Sequence, residues 1–230
     1  MAYRYYGAPA SYGAIPPVIK QLLIANGVVF FLQNMLPGAL ETWFALWPMG
    51  TPDYVRGAFG LEAVPSFYLW QLFSYGFLHG GFTHLLFNMF ALWMFGANVE
   101  RVWGSYRFAV YYTVCVVGAG LVQLLVVSEA ATGGAIYPTL GASGGVFGIL
   151  LAFGMLFPNQ VIMLIFPPIP MKAKYFVLIY GGIELYMGVS GSQAGVAHFA
   201  HLGGMAFGFL LIQYWTRGWP FQRPRGGGRW

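Results

Sequence analysis

Ser143 lies in a glycine-rich segment where a serine hydroxyl could act as a nucleophile. The segment from residue 141 to residue 145 reads GASGG and runs directly into an apolar stretch. Such a hydroxyl needs a base to take its proton, and the unpaired N–H groups of a helix's first turn can stabilise an oxyanion. The same segment also fits a packing seam of small residues in which the serine has no chemical role.

Histidine supplies the base that a nucleophilic serine requires. His201 lies three residues before Gly204 and seven before Gly208. Glycines four apart lie on one helix face and let another helix approach closely, which would bring His201 to Ser143. His198, one turn earlier, is the competing base. Because no carboxylate accompanies the histidines in this segment, we expect a Ser-His dyad rather than a triad.

His84 and Asn88 are four residues apart and therefore lie on one face of a helix. An imidazole N–H and an amide N–H directed at one point would stabilise a carbonyl oxygen that becomes anionic. We assign this pair to an oxyanion site, together with Gly141 and the backbone N–H of Ser143. Ordinary hydrogen bonding between helices is the alternative for the pair.

The composition places these residues in a membrane. The chain is 58% hydrophobic and 7% charged, whereas a soluble domain has about 25% charged residues. We expect an all-α polytopic membrane protein with the lipid bilayer as a partner, and we attribute the net charge of +5 to topology rather than to nucleic-acid binding. The single cysteine, Cys115, is expected to be inert packing. The sequence indicates no oligomeric state.

Apolar runs predict six membrane-spanning helices in one domain, residues 15–216. A short cytoplasmic segment (1–14) precedes this domain, an interfacial aromatic loop (37–82) follows the first span, and a flexible basic tail (217–230) ends the chain. A bilayer takes about 20 apolar residues, so the fourth and fifth spans are expected to be short or open to water at one end. The expected spans are 18–36, 83–100, 106–127, 141–157, 173–189 and 194–216.

Basic residues predict the orientation of these spans. Ten of them fall on the side of the two termini, and only Arg56 falls on the other. Because basic residues concentrate on the cytoplasmic side, both termini are expected there, with Ser143 and the histidines near the opposite face. With no signal or transit peptide apparent, we expect a bacterial inner membrane. The ten are Arg4, Lys20, Arg101, Arg107, Lys172, Lys174, Arg217, Arg223, Arg225 and Arg229.

Three segments, GASGG, HLLFN and AHLGGMAFG, together resemble the rhomboid family of intramembrane serine proteases. They occur in the family's order, and the similarity runs from about residue 15 to residue 215. Further matches are Trp70 in the outer loop, His79 five residues before His84, and Glu100 four residues before Gly104.

The resemblance implies a bundle of six helices with a water-filled cavity open to the extracytoplasmic side. It implies Ser143 as the nucleophile and His201 as the base. The family's spacing of histidine, two residues, glycine, three residues, glycine selects His201 over His198. It also implies cleavage of transmembrane substrates without a cofactor. Substrates with helix-destabilising residues are expected, since a helical carbonyl is hydrogen-bonded and shielded.

Two positions depart from the family's pattern. Trp70 is followed by Gln71, where many members have arginine, so a charged anchor of the loop is missing. Phe147 stands one turn after Ser143, where some members have tyrosine. Phenylalanine keeps the stacking against the catalytic ring and loses only the hydroxyl.

Glu184 is an acidic residue within the fifth expected span, where an isolated charge is unfavourable. We expect a structural role, protonated or hydrogen-bonded within the bundle. Two other functions stay open: a catalytically silent relative that binds membrane proteins, and a metal-binding membrane protein that uses the four histidines. Against a metal, no HExxH motif occurs and no acid sits beside the histidines in the sequence.

Overall fold

The computed structural model describes residues 14–57, 60–164, 168–191 and 197–217, and most of this chain is helical. The expected cytoplasmic segment and basic tail lie outside these residues, apart from residues 14 and 217. The helices are α1 (Pro17–Met35), α2 (Ala39–Phe44), α3 (Gln71–Ser74), α4 (Phe82–Ala91), α5 (Ala97–Trp103), α6 (Ser105–Thr132), α7 (Ser143–Leu156), α8 (Ala173–Ser190) and α9 (His198–Arg217).

Three helices in the described part of the chain are long and apolar enough to cross a membrane. They are α1, the continuous helix Phe82–Trp103, and α6. In the second of these, a π-helical turn at Leu92–Gly96 joins α4 to α5. Helix α7 is apolar but has only 14 residues, about 21 Å at the usual rise per residue. It is shorter than the hydrocarbon core of about 30 Å, as expected for the fourth span.

Each of the six expected spans overlaps one helix of 14 residues or more, and the largest difference in bounds is at the end of α6. This helix has 28 residues and continues to Thr132 instead of ending at residue 127. Its last turn, SEAAT, contains good helix formers, so the helix extends past the apolar run. Helix α9 is described from His198 onward, and the expected start of the sixth span falls on residues outside the described part.

Two short hairpins depart from the expected all-α fold. Strand β1 (Tyr54–Gly57) pairs antiparallel with β2 (Gly60–Ala63), and β3 (Val161–Met163) pairs antiparallel with β4 (Pro170–Lys172). Both lie in connections between long helices, where backbone N–H and C=O groups have no helical partner and pair with each other instead.

Helices α6, α7 and α9 pack against one another at the centre of the bundle. Gly204 in α9 lies directly against the carbonyl group of Gly144 in α7, so that a side chain there would overlap it. Gly208, one turn later, faces Tyr111 and Cys115 of α6 instead. Helix α9 therefore uses its glycines against two helices, α7 and α6, and Cys115 of α6 is fully buried.

Glu100 joins the first helix to the α5–α6 junction. Its two carboxylate oxygens accept the backbone N–H groups of Val18 (3.0 Å) and Ile19 (2.9 Å) at the start of α1. The hydroxyl of Ser105 donates to the same carboxylate at 2.7 Å. These bonds satisfy N–H groups that a helix start leaves without acceptors, at the end where a negative charge is favourable.

The first loop is anchored by Gln71, which is fully buried. Its side-chain oxygen accepts the N–H of Trp47 at 3.2 Å, and its amide nitrogen lies 3.3 Å from the carbonyl oxygens of both Trp43 and Ser66. The indole N–H of Trp70 donates to the same Trp43 carbonyl at 2.9 Å. Residue 71 therefore anchors the loop with a neutral amide side chain, at the position where many members of the family have arginine.

Candidate active site

A cavity of about 1040 Å³ lies where the N-terminal ends of α4, α7 and α9 meet. Gly81 precedes α4, Gly141 lies two residues before α7, and α9 approaches α7 closely where Gly204 meets Gly144. The residues that line the cavity include His84, Asn88, Ser143, Phe147, His198 and His201. Trp70 and His79 are not among the described residues of its wall.

Ser143 and His201 form a direct hydrogen bond in this cavity. The distance from Ser143 Oγ to His201 Nε2 is 2.7 Å. Ser143 is the first residue of α7, so the N–H groups beside it belong to the turn that has no intrahelical acceptors. The contact of Gly204 with Gly144 brings the two helices close enough for the side chains to meet.

The imidazole ring of His201 is held on its face as well as at its edge. The ring of Phe147 stacks on it with centroids 4.3 Å apart and an angle of 7° between the planes. This confirms the stacking expected of phenylalanine at that position. His201 is buried, at 8% exposure, so the ring has little freedom to leave this geometry.

A carboxylate lies behind the histidine, contrary to the expectation that no acid accompanies it. Glu184 Oε2 is 2.8 Å from His201 Nδ1 and 2.7 Å from His198 Nδ1. The three residues bring one potential metal-ligand atom each to within 4.8 Å of one another. His198, the competing base, thus contacts Glu184, while the bond to Ser143 comes from His201. The expected hydrogen bonding of Glu184 within the bundle is confirmed.

Sequence reasoning missed this carboxylate because Glu184 and the two histidines belong to different helices. Glu184 is 14 residues from His198 and 17 residues from His201 along the chain. The local sequence pattern of α9 therefore does not indicate the contact. A signal was present: an acid in a membrane helix needs a partner, and α9 is the next long helix along the chain.

His84 presents an N–H group to the cavity. Its Nδ1 accepts the backbone N–H of Gly80 at 3.3 Å, so in the neutral ring the hydrogen is on Nε2. Asn88, one turn later, donates one amide hydrogen to the His84 carbonyl at 2.9 Å. Its amide carries a second hydrogen, and the residue lines the cavity. The pair matches the expected arrangement on one helix face.

Gly141 lies between His84 and Ser143, at the expected oxyanion site, but its N–H group is already paired. Its N–H group donates to the Tyr75 carbonyl at 2.9 Å. Its φ of +129° is unfavourable for other residues, and a Cβ there would lie 2.8 Å from His84 Cε1 and 3.7 Å from Ser143 Oγ. Gly141 instead keeps the space between His84 and Ser143 open.

His79 supports the site from behind His84. The two rings meet edge to face with centroids 5.1 Å apart, and the backbone N–H of His79 donates to the side chain of Gln33 at 2.9 Å. Burial, with His84 nearby as a second cause, lowers the pKa of His79 to about 4. The ring is therefore neutral at physiological pH.

Comparison with known proteins gives one consistent family. The Rhomboid domain matches residues 66–217. The chain is similar to Rhomboid protein 1, mitochondrial, of Saccharomyces cerevisiae, with 29% identity over the whole chain and 66% of the yeast protein. It is 31% identical to YdcA of Bacillus subtilis, over 85% of this chain and 86% of that protein. It is also 31% identical to Rhomboid protease AarA of Providencia stuartii, over 58% of this chain and 51% of AarA.

The chain thus spans about two thirds of the yeast relative and most of the Bacillus one. The matched region contains α4 to α9 and with them every residue of the cavity described above. Several described helices are apolar and of membrane-spanning length. The chain is an integral membrane protein and belongs to the rhomboid family.

Proposed function

We propose that this protein is an intramembrane serine endopeptidase with Ser143 as nucleophile and His201 as general base. The observation that carries the proposal is the 2.7 Å hydrogen bond between Ser143 Oγ and His201 Nε2 at the wall of the cavity. A general base works within about 2.6–3.2 Å of the proton that it abstracts. The family membership and the relative named Rhomboid protease AarA support a protease.

The first step is acylation of Ser143. As Oγ attacks the scissile carbonyl carbon, its proton moves to His201 Nε2 and the carbonyl oxygen becomes an oxyanion. The Phe147 ring fixes the plane of the imidazole during this transfer. His201 then gives the proton to the leaving amine, the C–N bond breaks, and the acyl group stays on Ser143 as an ester.

The oxyanion is stabilised by donors from two helices. His84 offers Nε2–H, Asn88 offers its second amide hydrogen, and Ser143 offers its backbone N–H at the start of α7. Loss of one such donor typically lowers kcat by about 10²- to 10³-fold. Gly141 contributes by leaving room for the oxyanion between His84 and Ser143.

Hydrolysis of the acyl-enzyme completes the cycle. A water molecule gives a proton to His201 Nε2 and attacks the ester carbon, after which the C–O bond breaks and Oγ recovers the proton. A cavity of about 1040 Å³ has room for water as well as for part of a substrate. Neither acylation nor deacylation requires a cofactor.

The substrates proposed are transmembrane segments of other membrane proteins, cleaved near the extracytoplasmic face. A helical carbonyl is hydrogen-bonded and shielded by side chains, so the segment must unwind before Ser143 can attack it. Residues with low helix propensity, such as glycine and proline, reduce the cost of unwinding by about 1–3 kcal/mol each. Substrates that contain such residues near the cleavage site are therefore favoured.

The orientation proposed follows from the charges. In this proposal the six helices that overlap the expected spans cross the bilayer and both termini are cytoplasmic. The ten-to-one distribution of basic residues supports this arrangement. We propose a bacterial inner membrane as the location, and YdcA, of which 86% is matched, is a bacterial relative. The yeast relative, named as mitochondrial, makes an organelle membrane the alternative.

The cluster of Glu184, His198 and His201 supports metal binding as a second candidate function. Two histidines and a glutamate can hold zinc, and their ligand atoms lie within 4.8 Å. A metal on His201 Nδ1 would require the ring hydrogen on Nε2, facing Ser143 Oγ, and His201 could then no longer act as its base. A catalytically silent relative is the third candidate, against which the intact Ser143–His201 contact speaks.

A serine-reactive fluorophosphonate distinguishes these functions. We expect the detergent-solubilised protein to form a covalent adduct on Ser143, as identified by peptide mass spectrometry, and to keep both labelling and cleavage activity in a chelator. Ser143→Ala should give no adduct. Activity that disappears in the chelator and returns with zinc would favour the metal, and an unlabelled wild-type protein would favour the silent relative.

A further inference from the structure

Glu184 is the residue next to the Ser143–His201 pair to which the proposed mechanism assigns no role. It lies in the last two turns of α8 and reaches toward the start of α9. Three side chains follow in series: Ser143 Oγ is 2.7 Å from His201 Nε2, and His201 Nδ1 is 2.8 Å from Glu184 Oε2. Both ring nitrogens of His201 are therefore engaged, each by a different helix.

This arrangement determines which nitrogen of His201 carries the hydrogen. A carboxylate oxygen can only accept, so His201 Nδ1 must donate to it. In the neutral ring, Nε2 is then left with its lone pair directed at Ser143 Oγ, and that is the form a general base requires. Without an acceptor at Nδ1 the ring could adopt the other tautomer, which cannot take the serine proton.

His198 holds the carboxylate in place independently of the catalytic histidine. Its Nδ1 lies 2.7 Å from the same Oε2 atom of Glu184, and the Glu184 side chain is only 12% exposed. A buried charge needs such partners. When His201 gains a proton and changes its charge, the bond from His198 still fixes the position of Oε2.

We propose that Glu184 is a positioning residue for His201, so that this site works as a Ser143–His201–Glu184 triad; the inference rests on the proposed function. Glu184 keeps the reactive tautomer of His201 in the neutral enzyme. After Ser143 Oγ has given its proton to Nε2, the carboxylate stabilises the imidazolium without itself taking a proton. His201 then passes that proton to the leaving amine, so Glu184 returns to its starting state.

The test is steady-state cleavage of a transmembrane substrate by wild type, Glu184→Gln and Glu184→Asp, with the thermal midpoint of each protein measured alongside. Glu184→Gln should lower kcat by about 10²- to 10⁴-fold with little change in KM, because the group acts on the transition state through His201. Glu184→Asp keeps the charge with a shorter reach, so its kcat should lie between those of wild type and Glu184→Gln.

Glu100→Gln is the matched control, because it makes the same change in a carboxylate that caps a helix. It should lower the thermal midpoint and leave kcat unchanged. A purely structural Glu184 would behave in the same way, and such a result would overturn the proposal. If Glu184→Gln does not fold, Glu184→Asp decides, since wild-type kcat in that variant also overturns it.

Ser143→Ala in the same assay separates failure of this inference from failure of the proposed function. Near-wild-type cleavage by Glu184→Gln together with loss of cleavage in Ser143→Ala would contradict the triad and support the proposed protease function. Undiminished cleavage by Ser143→Ala would contradict both the triad and the proposed protease function.

Discussion

His84 and Ser143 face each other across a gap that exists because residue 141 has no side chain. The hydrogen bond from Gly80 to His84 Nδ1 directs the other ring nitrogen at this gap. A donor is useful in catalysis only if it points where the oxyanion forms. A single backbone contact therefore determines which ring nitrogen of His84 carries the hydrogen, and Gly141 leaves room for the oxyanion to reach that N–H group.

Gly141→Ala tests this geometry. The new Cβ would lie 3.0 Å from His84 Nε2 in a backbone with φ of +129°, so we expect kcat to fall about tenfold or more as the donor is displaced. Gly134→Ala is the matched control, because Gly134 also has a positive φ, +88°, but open space around it. Both variants should lose stability through backbone strain of about 1–3 kcal/mol. Equal activity of the two variants would contradict this role of Gly141.

His79 predicts a dependence of stability on pH. Its pKa is lowered from 6.5 to about 4 in the folded protein, so between these values the unfolded chain binds the extra proton. The free energy of unfolding should therefore be unaffected by the titration of His79 above pH 6.5. As the pH falls from 6.5 toward 4, this group should lower the free energy of unfolding by up to about 3 kcal/mol.

The matched variant for this prediction is His79→Phe, which keeps an aromatic ring against His84 and cannot titrate. Thermal midpoints in detergent between pH 7 and pH 4 should fall less steeply for His79→Phe than for wild type. Parallel curves for the two proteins would show that His79 does not carry this pH dependence.

At the scale of helices, the reactive pair depends on how closely α7 and α9 approach. The two helices touch where Gly204 meets the carbonyl group of Gly144, the residue that follows Ser143. In a membrane, such close packing replaces the hydrophobic driving force that is missing between helices in lipid. The same glycine contact thus stabilises the bundle and sets the distance between Ser143 and His201.

Gly204→Ala should separate α7 from α9. We expect a loss of about 1–3 kcal/mol in the free energy of unfolding, as for other overpacked interfaces, together with lower cleavage activity as Ser143 moves away from His201. Gly27→Ala is the control, because a Cβ on Gly27 in α1 would meet nothing within 4 Å. It should keep activity and match or exceed wild-type stability. A Gly204→Ala protein as stable and active as Gly27→Ala would contradict the account.

The elements were predictable where one physical signal dominates. Apolar runs located the long helices, and the spacing of glycines around His201 anticipated the contact of α9 with α7. The strand pairs β1–β2 and β3–β4 were missed because short loop strands carry no strong periodicity. Glu184 was found in the right helix, but its bond to His201 depends on how α8 and α9 pack, which no local pattern encodes.

For the molecule as a whole, the proposed membrane arrangement combined with unequal helix lengths would put Ser143 below the extracytoplasmic surface. Helix α6 has 28 residues and α7 has 14, or about 42 Å and 21 Å at the usual rise. Because α7 packs along α6, its first residue need not reach the end of the longer helix. A hydroxyl at that depth needs a route for water, and the cavity beside it offers the space.

Cleavage of a transmembrane substrate in reconstituted liposomes tests whether Ser143 and His201 carry out proteolysis. Wild type, Ser143→Ala and His201→Ala should be compared at equal amounts of folded protein. We expect cleavage by wild type and a loss of about 10³-fold or more in either variant, since the two side chains act as one unit. Equal cleavage by all three proteins would contradict this expectation.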